Sequence, residues 1–558
     1  MRKNLIAGMV GAIMLFTTAC DEQKFLNEVP LDFFSLENSY KTANDYERAL
    51  TDLYARVREI NFGIAENVNY FAHFQATDIA KHARGDADRF GDYNVWLVPT
   101  NNMVKYHWES WYKIISNSNT IISRIETSDI ADTQKQNITG EAKFFRAYAY
   151  RYLVYLFGGV PLILEEVASP RTDLTRASRE AVLQQIALDA EEASRSLPSI
   201  NQVVDGKVSD LVAFHLLSET YITLGRYDDA IAAATKVIND PHVQLMKNRF
   251  GARVAETDKD VFWDLFQRGN QKRSAGNTET LWLARMEPDV PGGLLVSSGG
   301  SQNCLERYAV PAGWTLTDPD GKTGMNGQGM SDYNMGGRGV SFMMNTDYYL
   351  YDLWESDWNN DIRNASHNIV RDVKYTNRAS VWYDSSAVKY PSQNGKLQPW
   401  RWYPWPSKAT TPGDHPDELY ADKANKILKA TSGSTYRDMY ILRLAETYLL
   451  RAEAYVLRGE KAQAANDVNQ VRSRSKAKAI TAGEVTLEFL LDERARELVY
   501  EEHRRITLHR MGVLVERVRK YNDLNQDDIK DFHNLWPIPN TDIEANKDAK
   551  IDQNPGYN

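Results

Sequence analysis

The stretch of sequence that decides the fold reads Gly140-Glu-Ala-Lys-Phe-Phe-Arg-Ala-Tyr-Ala-Tyr-Arg-Tyr-Leu-Val-Tyr-Leu-Phe-Gly-Gly-Val-Pro-Leu-Ile163. From its second residue to Phe157 it contains no glycine or proline, and apolar side chains cover nearly every face of a helix. A helix that is apolar all round is surrounded by other helices. The glycine pair that starts at Gly158 supplies a left-handed stop, and Pro161 prevents continuation. The sequence therefore predicts a central helix within a helical packing.

Four helix-rich stretches are predicted, and the second of them contains this central helix. Apolar periodicity indicates helices at about residues 43–59, at 103–125 leading into the central helix, at 179–239 and at 440–519. Between residue 243 and about residue 434 the helical pattern mostly breaks down.

Two of the helical stretches share one spacing of tyrosine, glycine and alanine. The positions are Tyr221, Gly225 and Ala230, and then Tyr455, Gly459 and Ala464. This spacing is typical of a tetratricopeptide helix-turn-helix unit, in which glycine forms the turn and alanine lets the helices approach. The alternative is two unrelated helical hairpins that share a common turn. Because the copies lie far apart in the chain, we do not expect a simple solenoid.

The N-terminus is typical of an export signal. Arg2 and Lys3 precede an apolar stretch at residues 5–16, which is too short for a comfortable membrane span, and small residues then lead to Cys20. One interpretation is an ordinary signal peptide that is cut near Ala19. The other is a lipoprotein signal, in which Cys20 becomes the lipidated first residue of the mature chain.

Composition and motifs argue against several functions. A formal net charge of −9 and a pI of about 5.7 argue against nucleic acid as the main partner. The sequence contains no H-E-x-x-H, P-loop, G-x-S-x-G or G-x-G-x-x-G motif, and we predict no enzyme, no cofactor and no metal site. Cys304 has no identifiable histidine partner, so a packed or mildly exposed thiol is expected. A glycosidase carboxylate pair stays open as a weak alternative, because 75 acidic residues always allow some pair to be imagined.

Several motifs together resemble the SusD/RagB family of surface lipoproteins. They are the export cysteine Cys20, the block from Gly140, the Asp361-Ile-Arg363 motif, the helix that runs from Glu493, and the closing Asn554-Pro-Gly-Tyr557. The resemblance covers nearly the whole mature chain. It implies a mainly α fold, with a tetratricopeptide-like scaffold and a long irregular, loop-rich insertion. The implied layout is a signal peptide at 1–19 and a single domain at 20–558, with scaffold at 20–242 and 435–558 and insertion at 243–434.

The resemblance also implies a function. SusD-like proteins capture a nutrient, most often an oligosaccharide, at the outer face of the outer membrane. They deliver it to a SusC-like TonB-dependent transporter, and a lipid on Cys20 would anchor the protein there. The alternatives are a secreted tetratricopeptide scaffold that binds peptides or proteins, and a glycan-cleaving enzyme.

A charged helix follows Thr486, which is predicted to cap it. Within the helix, Glu497 is expected to pair with Arg494, and Glu501 with Arg504 one turn on. An exposed helix with surface salt bridges is the simplest interpretation of the charges alone. The apolar residues among them indicate that the helix has a buried stripe too, and the resemblance implies that the charges are largely architectural.

Candidate ligand-binding residues come from loops that carry aromatic side chains. Residues 291–340 contain 12 of the 32 glycines together with Trp314 and Tyr333, and the loop at 85–102 carries Tyr93 and Trp96. Aromatic faces pack on the C–H faces of sugar rings. In glycan-binding members of the family, ligand aromatics come from such a loop and from the insertion. We therefore predict Tyr93, Trp96, Trp314 and Tyr333 as ligand-binding residues, with packing in the core as the alternative for each.

Two other aromatic groups are given different interpretations. Trp108, Trp111 and Tyr112 lie at helical spacing and are predicted to be core residues. The cluster from Trp400 to Trp405 is expected either to pack the insertion or to meet a partner.

Overall fold

A computed structural model describes residues 40–63, 68–286, 288, 293–296, 303–326 and 336–557. The predicted export signal, Cys20 and Tyr333 lie outside these residues. The longer helices are α1 (Ala43–Phe62), α2 (Asn102–Glu126), α3 (Asp132–Phe157), α4 (Arg179–Ser196), α5 (Asp210–Thr223), α6 (Tyr227–Ile238), α7 (Leu444–Arg458), α8 (Lys461–Arg474), α9 (Leu487–Leu498), α10 (Arg504–Arg510) and α11 (Leu514–Tyr521).

Short helices and two-stranded ladders complete the fold. The short helices are Tyr93–Trp96, Val261–Leu265, Leu305–Ala309, Asp347–Leu350, Gln393–Leu397 and Asn540–Ala545. The strands are β1 (Ala80–His82), β2 (Thr280–Ala284), β3 (Met343–Asn345), β4 (Ile369–Val370), β5 (Trp405–Pro406), β6 (Tyr420–Asp422), β7 (Ile427–Leu428) and β8 (Met439–Arg443). They pair antiparallel as β1 with β3, β2 with β8, β4 with β5 and β6 with β7. The fold is mainly α, as predicted.

Helix α3 is the predicted central helix. Its last four turns are buried on nearly every face, and Trp111 of α2 stacks on Tyr152 with ring centroids 4.1 Å apart. Its charged side chains stay inside the packing because each has a partner: Arg151, for example, bonds Glu219 of α5 at 2.6 Å. Gly158 ends the helix with a φ of 76°. Gly159 must remain glycine, because an added Cβ would lie 2.3 Å from the carbonyl oxygen of Ala177.

The two tetratricopeptide-like hairpins form as predicted and lie side by side. Each turns at a glycine with positive φ, which is 73° at Gly225 between α5 and α6 and 89° at Gly459 between α7 and α8. Helix α6 packs against α7, and Arg451 donates to the hydroxyl of Thr235 at 3.0 Å. Helices α2 to α8 thus stack in chain order, although a long insertion separates α6 from α7. Distance along the sequence does not prevent this stacking, because β8 pairs with β2 and leads directly into α7.

Helix α9 carries the charged motif, but its charges are not on an exposed helix. Thr486 caps it as predicted, accepting from the backbone N–H of Phe489 at 3.0 Å. The helix ends at Leu498, and Tyr500 has a φ of 62°. The predicted pairs are wrong, because Arg494 bonds Glu446 and Glu502 instead, and Arg504 bonds Asp78 and Glu502. Glu497 is buried and Glu501 nearly so, and both bond basic groups elsewhere in the chain.

These contacts belong to a set that we call the buried network. Its members are six basic residues, Arg363, Lys408, Arg443, Arg472, Arg474 and Arg496, and six acidic residues, Glu279, Asp357, Asp361, Glu493, Glu497 and Glu501. Burial alone would raise the pKa of Glu493, but the neighbouring arginines outweigh it and hold the pKa at about 2. The network joins Asp361, Arg363 and Lys408, which precede β8, to the helices that follow it.

Candidate ligand-binding site

Tyr93 and Trp96, two of the predicted ligand residues, lie in the core. Tyr93 has 0% and Trp96 has 1% of its surface exposed. Arg505 of α10 donates to the hydroxyl of Tyr93 at 2.6 Å, and Trp96 packs edge-on against Trp536 with ring centroids 6.1 Å apart. Neither ring has an exposed face, so the structure favours the alternative given for each residue, packing in the core. The reason is that the loop folds inward against α10 and the C-terminal segment.

Trp314, the third predicted residue, is half-buried at the surface of the insertion. Its indole N–H donates to the carbonyl oxygen of Gly339 at 2.9 Å. The guanidinium carbon of Arg338 lies over the ring, 4.7 Å from its centroid. Trp314 is therefore partly accessible to a ligand, and its part in binding stays a prediction. The fourth residue, Tyr333, lies outside the described residues.

The cluster from Trp400 to Trp405 is divided between core and surface. Tyr403 and Trp405 are buried, and the Tyr403 hydroxyl donates to the carbonyl oxygen of Met343 at 2.9 Å. Trp400 and Trp402 are half-buried. Part of this cluster thus packs the insertion, while Trp400 lies at the surface.

Trp400 belongs to a strip in which guanidinium groups and aromatic rings alternate, which we call the arginine ladder. Its members are Arg84, Arg89, Arg338, Arg401, Trp314, Phe342 and Trp400. Arg84 lies 4.7 Å from the ring centroid of Phe342 and 4.4 Å from that of Trp400. These distances lie within the range of a cation–π contact.

The ends of the ladder continue the alternation. Arg89 also lies over Phe342, at 5.7 Å, and Arg401 lies over Trp400, at 4.6 Å. Arg401 further donates to the hydroxyl of Thr315, next to Trp314. The loop at 85–102 thus lies next to this surface. Arg84 and Arg89 are exposed there, whereas Tyr93 and Trp96 are buried.

A hairpin leads from the ladder to a second surface feature. The hairpin pairs Thr317 with Thr323, so Trp314 before it and Asn326 after it leave at the same end. Its turn bonds a loop at residues 375–390, which we call the aromatic loop. There the indole N–H of Trp382 donates to the carboxylate of Asp320 at 3.0 Å.

The aromatic loop carries exposed rings beside a cavity of about 280 Å³. Tyr383 is 47% and Tyr390 is 38% exposed. The cavity is lined by Asn326, Tyr375, Thr376, Arg378, Tyr383, Asp384, Ala424, Asn425, Lys426 and Ile427. An exposed ring edged by amide, hydroxyl and charged groups is the arrangement that a sugar needs, since its C–H face and its hydroxyls require different partners.

Sequence reasoning missed this cavity. The available signal was a run of tryptophan and tyrosine between polar residues at 375–390, without the glycines that drew attention to 291–340. The fold, and not the run itself, brings Tyr383 and Asn425 into the lining of one cavity.

Within the described ranges, no group of three or more histidine, cysteine, aspartate or glutamate side chains could hold a metal ion. Cys304 is buried there, as expected. None of the described helices has the length and apolar character that crossing a membrane requires.

Two family models match the chain. The model of the SusD family matches residues 261–557, and a SusD-like model described as "Starch-binding associating with outer membrane" matches residues 31–222. Together they cover the scaffold, the insertion and the C-terminal segment.

Individual relatives match over nearly the full length or over a part of the chain. SusD-like protein P2 of Formosa agariphila is 25% identical over 98% of this chain and 98% of its own. The starch-binding protein SusD of Bacteroides thetaiotaomicron is 36% identical, over 23% of this chain and 24% of its own. A solved laminarin-binding SusD-like protein has the same fold, with a TM-score of 0.67 and 23% identity over 93% of this chain and 100% of that one.

Proposed function

The chain belongs to the SusD family, and from this we propose that it is a non-catalytic glycan-binding lipoprotein of the outer membrane. In this proposal it captures an oligosaccharide at the cell surface and delivers it to a SusC-like TonB-dependent transporter. Relatives that are named for binding starch and laminarin support a glycan as the ligand.

The observation that carries the proposal is the exposed face beside the cavity of the aromatic loop. Tyr383 offers an exposed ring with Arg378 over it, 5.8 Å from the centroid, and Asn326 and Asn425 add amide groups to the lining of the same cavity. The hydrogen bonds of the Asp318 turn hold the loop in place: Ser380, for example, donates to Asp318 at 2.6 Å. A rigid frame lowers the entropy lost when a ligand binds.

Affinity electrophoresis of the full-length protein on a panel of polysaccharides tests the glycan proposal. We expect retardation by at least one polysaccharide, and the affinity should rise with oligosaccharide length, because one sugar on one ring competes poorly with water. Release of reducing sugar from the same panel would show catalysis and contradict the non-catalytic part. Migration unchanged by every polysaccharide would contradict glycan binding.

Anchoring by Cys20 is tested separately. Cys20→Ala should release the protein from the membrane fraction or block its processing, because it removes the lipidated residue. One acyl chain holds only marginally, so stable anchoring needs more than one. An unchanged membrane fraction, with no acyl mass on the N-terminal peptide, would contradict the anchor. Co-purification of the tagged protein with a TonB-dependent barrel tests the transporter partner.

A further inference from the structure

We propose that the arginine ladder selects oligosaccharides that carry carboxylate or sulfate groups. This inference rests on the proposed glycan-binding function and names the class of glycan. Its basis is a set of guanidinium groups placed at the surface, on one strip, next to the hairpin that leads to the aromatic loop.

The rings of the ladder hold the arginines in position, and the ring faces that the arginines cover are closed to a sugar. Arg84 and Arg401 both lie over Trp400, and Arg338 covers a face of Trp314. A ring whose face is taken by a guanidinium cannot stack a sugar on that face. Arg84 is further fixed by donating from Nε to the carbonyl oxygen of Ser341 at 3.2 Å. The charged forks are therefore held in place before a ligand arrives.

Three charges of the ladder, those of Arg84, Arg89 and Arg401, are not balanced by carboxylates of the described residues. Among the described residues, no carboxylate forms an ion pair within 4.0 Å of Arg84, Arg89 or Arg401. Asp86 and Asp88 flank Arg89 in the sequence and are exposed, and neither forms an ion pair with an arginine of the ladder.

Arg338 has a carboxylate beside it, that of Glu306. Glu306 is buried and accepts from the backbone N–H of Arg338, from the Thr410 hydroxyl and from His415. Burial, and then the like charge of Arg84, lower the pKa of Arg401. Positive charge is thus concentrated along the ladder.

This concentration stands against the charge of the whole protein, which is −9. A positive strip on a negative molecule focuses anions onto that strip. Arginine suits the task, because its planar fork donates two parallel hydrogen bonds to one anionic group. A neutral glucan needs no such donors.

Titration of the full-length protein, purified in detergent, with three sets of oligosaccharides tests the inference by calorimetry. The sets are oligogalacturonides for carboxylate, carrageenan fragments for sulfate, and laminarin and starch fragments as neutral glycans. The variant is Arg84→Gln with Arg401→Gln. The control is Arg48→Gln, which removes one such charge from an exposed position on α1.

We expect one anionic set to bind more tightly than the neutral sets and to bind more weakly as salt is raised from about 50 to 500 mM. The double variant should weaken that binding about tenfold or more, while Arg48→Gln leaves it unchanged and all melting temperatures stay the same. Replacing both arginines by lysine should give an intermediate loss, because the charge stays and the fork is lost. Which anionic set binds identifies the group.

Other outcomes separate the two proposals. Binding of the neutral glycans alone, unaffected by the double variant, would overturn the anionic class and leave the glycan-binding function standing. Binding of no glycan would overturn both. Binding to phosphatidylserine vesicles that the double variant abolishes, without glycan binding, would assign the ladder to a membrane surface and overturn the inference.

Discussion

In the buried network, the side chains of Arg363, Arg443 and Arg474 are fully buried, and each bonds two or more carboxylates. In the arginine ladder, by contrast, Arg84 and Arg89 are exposed and lie over aromatic rings. The residue type is the same in both regions. What differs is whether the charge has lost its water.

The difference separates arginines that hold the fold together from arginines that a ligand can reach. A charge that is taken out of water must be neutralised by partners, because its desolvation costs several kcal/mol. The network therefore works as a closed set that joins the insertion to the scaffold. A guanidinium that keeps contact with water has no such requirement and is available to a ligand.

Breaking the buried network should give the largest effect. Arg443→Gln removes the cation that bonds all three of Glu279, Glu497 and Glu501, so we expect the free energy of unfolding to fall by about 3–5 kcal/mol. Urea denaturation measures it. The matched variant Arg84→Gln removes the same charge from the ladder and should change stability by no more than about 0.5 kcal/mol. Equal losses in both variants would contradict the distinction.

Trp96→Ala tests the burial that removes this residue from the ligand-binding set. Deleting a buried tryptophan costs about 3–5 kcal/mol, so the variant should melt at a clearly lower temperature. Thermal denaturation by circular dichroism measures this. A parent-like melting temperature together with lost glycan binding would restore Trp96 to the site.

Mild acid should destabilise the core through its histidines before it affects the carboxylates. Burial lowers the pKa of His215 to about 3 and of His509 to about 4, and it also lowers the pKa of His73, which stacks on His503 at 4.3 Å. The unfolded chain binds these protons first, near pH 6.5. Stability is therefore complete above that pH and is lost as the pH falls toward 4, by about 1.4 kcal/mol per unit for each histidine.

Denaturation at a series of pH values from 7 to 5 checks this prediction. His73→Phe should reduce the slope of stability against pH, because it removes one buried histidine. A flat stability profile over this range would show that the histidines take up protons without cost. Glu493, whose pKa is held at about 2, loses its contribution only below about pH 4.5.

Tyr383→Ala should give the smallest effect, on affinity and not on stability. An aromatic contact contributes about 0.5–1.5 kcal/mol, which corresponds to roughly a two- to tenfold loss of glycan affinity. Calorimetry with the glycan found by electrophoresis measures it. Tyr351→Ala is the matched control, because that tyrosine is 39% exposed and stacks on Trp358 outside the cavity. An equal loss in both variants would argue against a site at the aromatic loop.

Sequence reasoning succeeded where the determining signal was local. The central helix, its glycine stop, the cap at Thr486 and the two glycine turns of the hairpins are specified by residues within a few positions of one another. It did not foresee the burial of Tyr93 and Trp96 or the partners of Glu497. Tyr93 is buried by Arg505, more than four hundred residues away, and Glu497 is paired with Arg363, which lies within the insertion.

The sequence by itself determined the helical scaffold and the family, because periodicity, caps and turn glycines depend on neighbours along the chain. Only the tertiary structure decided which arginines are neutralised and which face water, and which aromatic rings are core and which border the cavity. The physical reason is that burial is a property of the assembled packing. An arginine or a tryptophan has the same chemistry in either place, and the partners that settle its role arrive from distant parts of the chain.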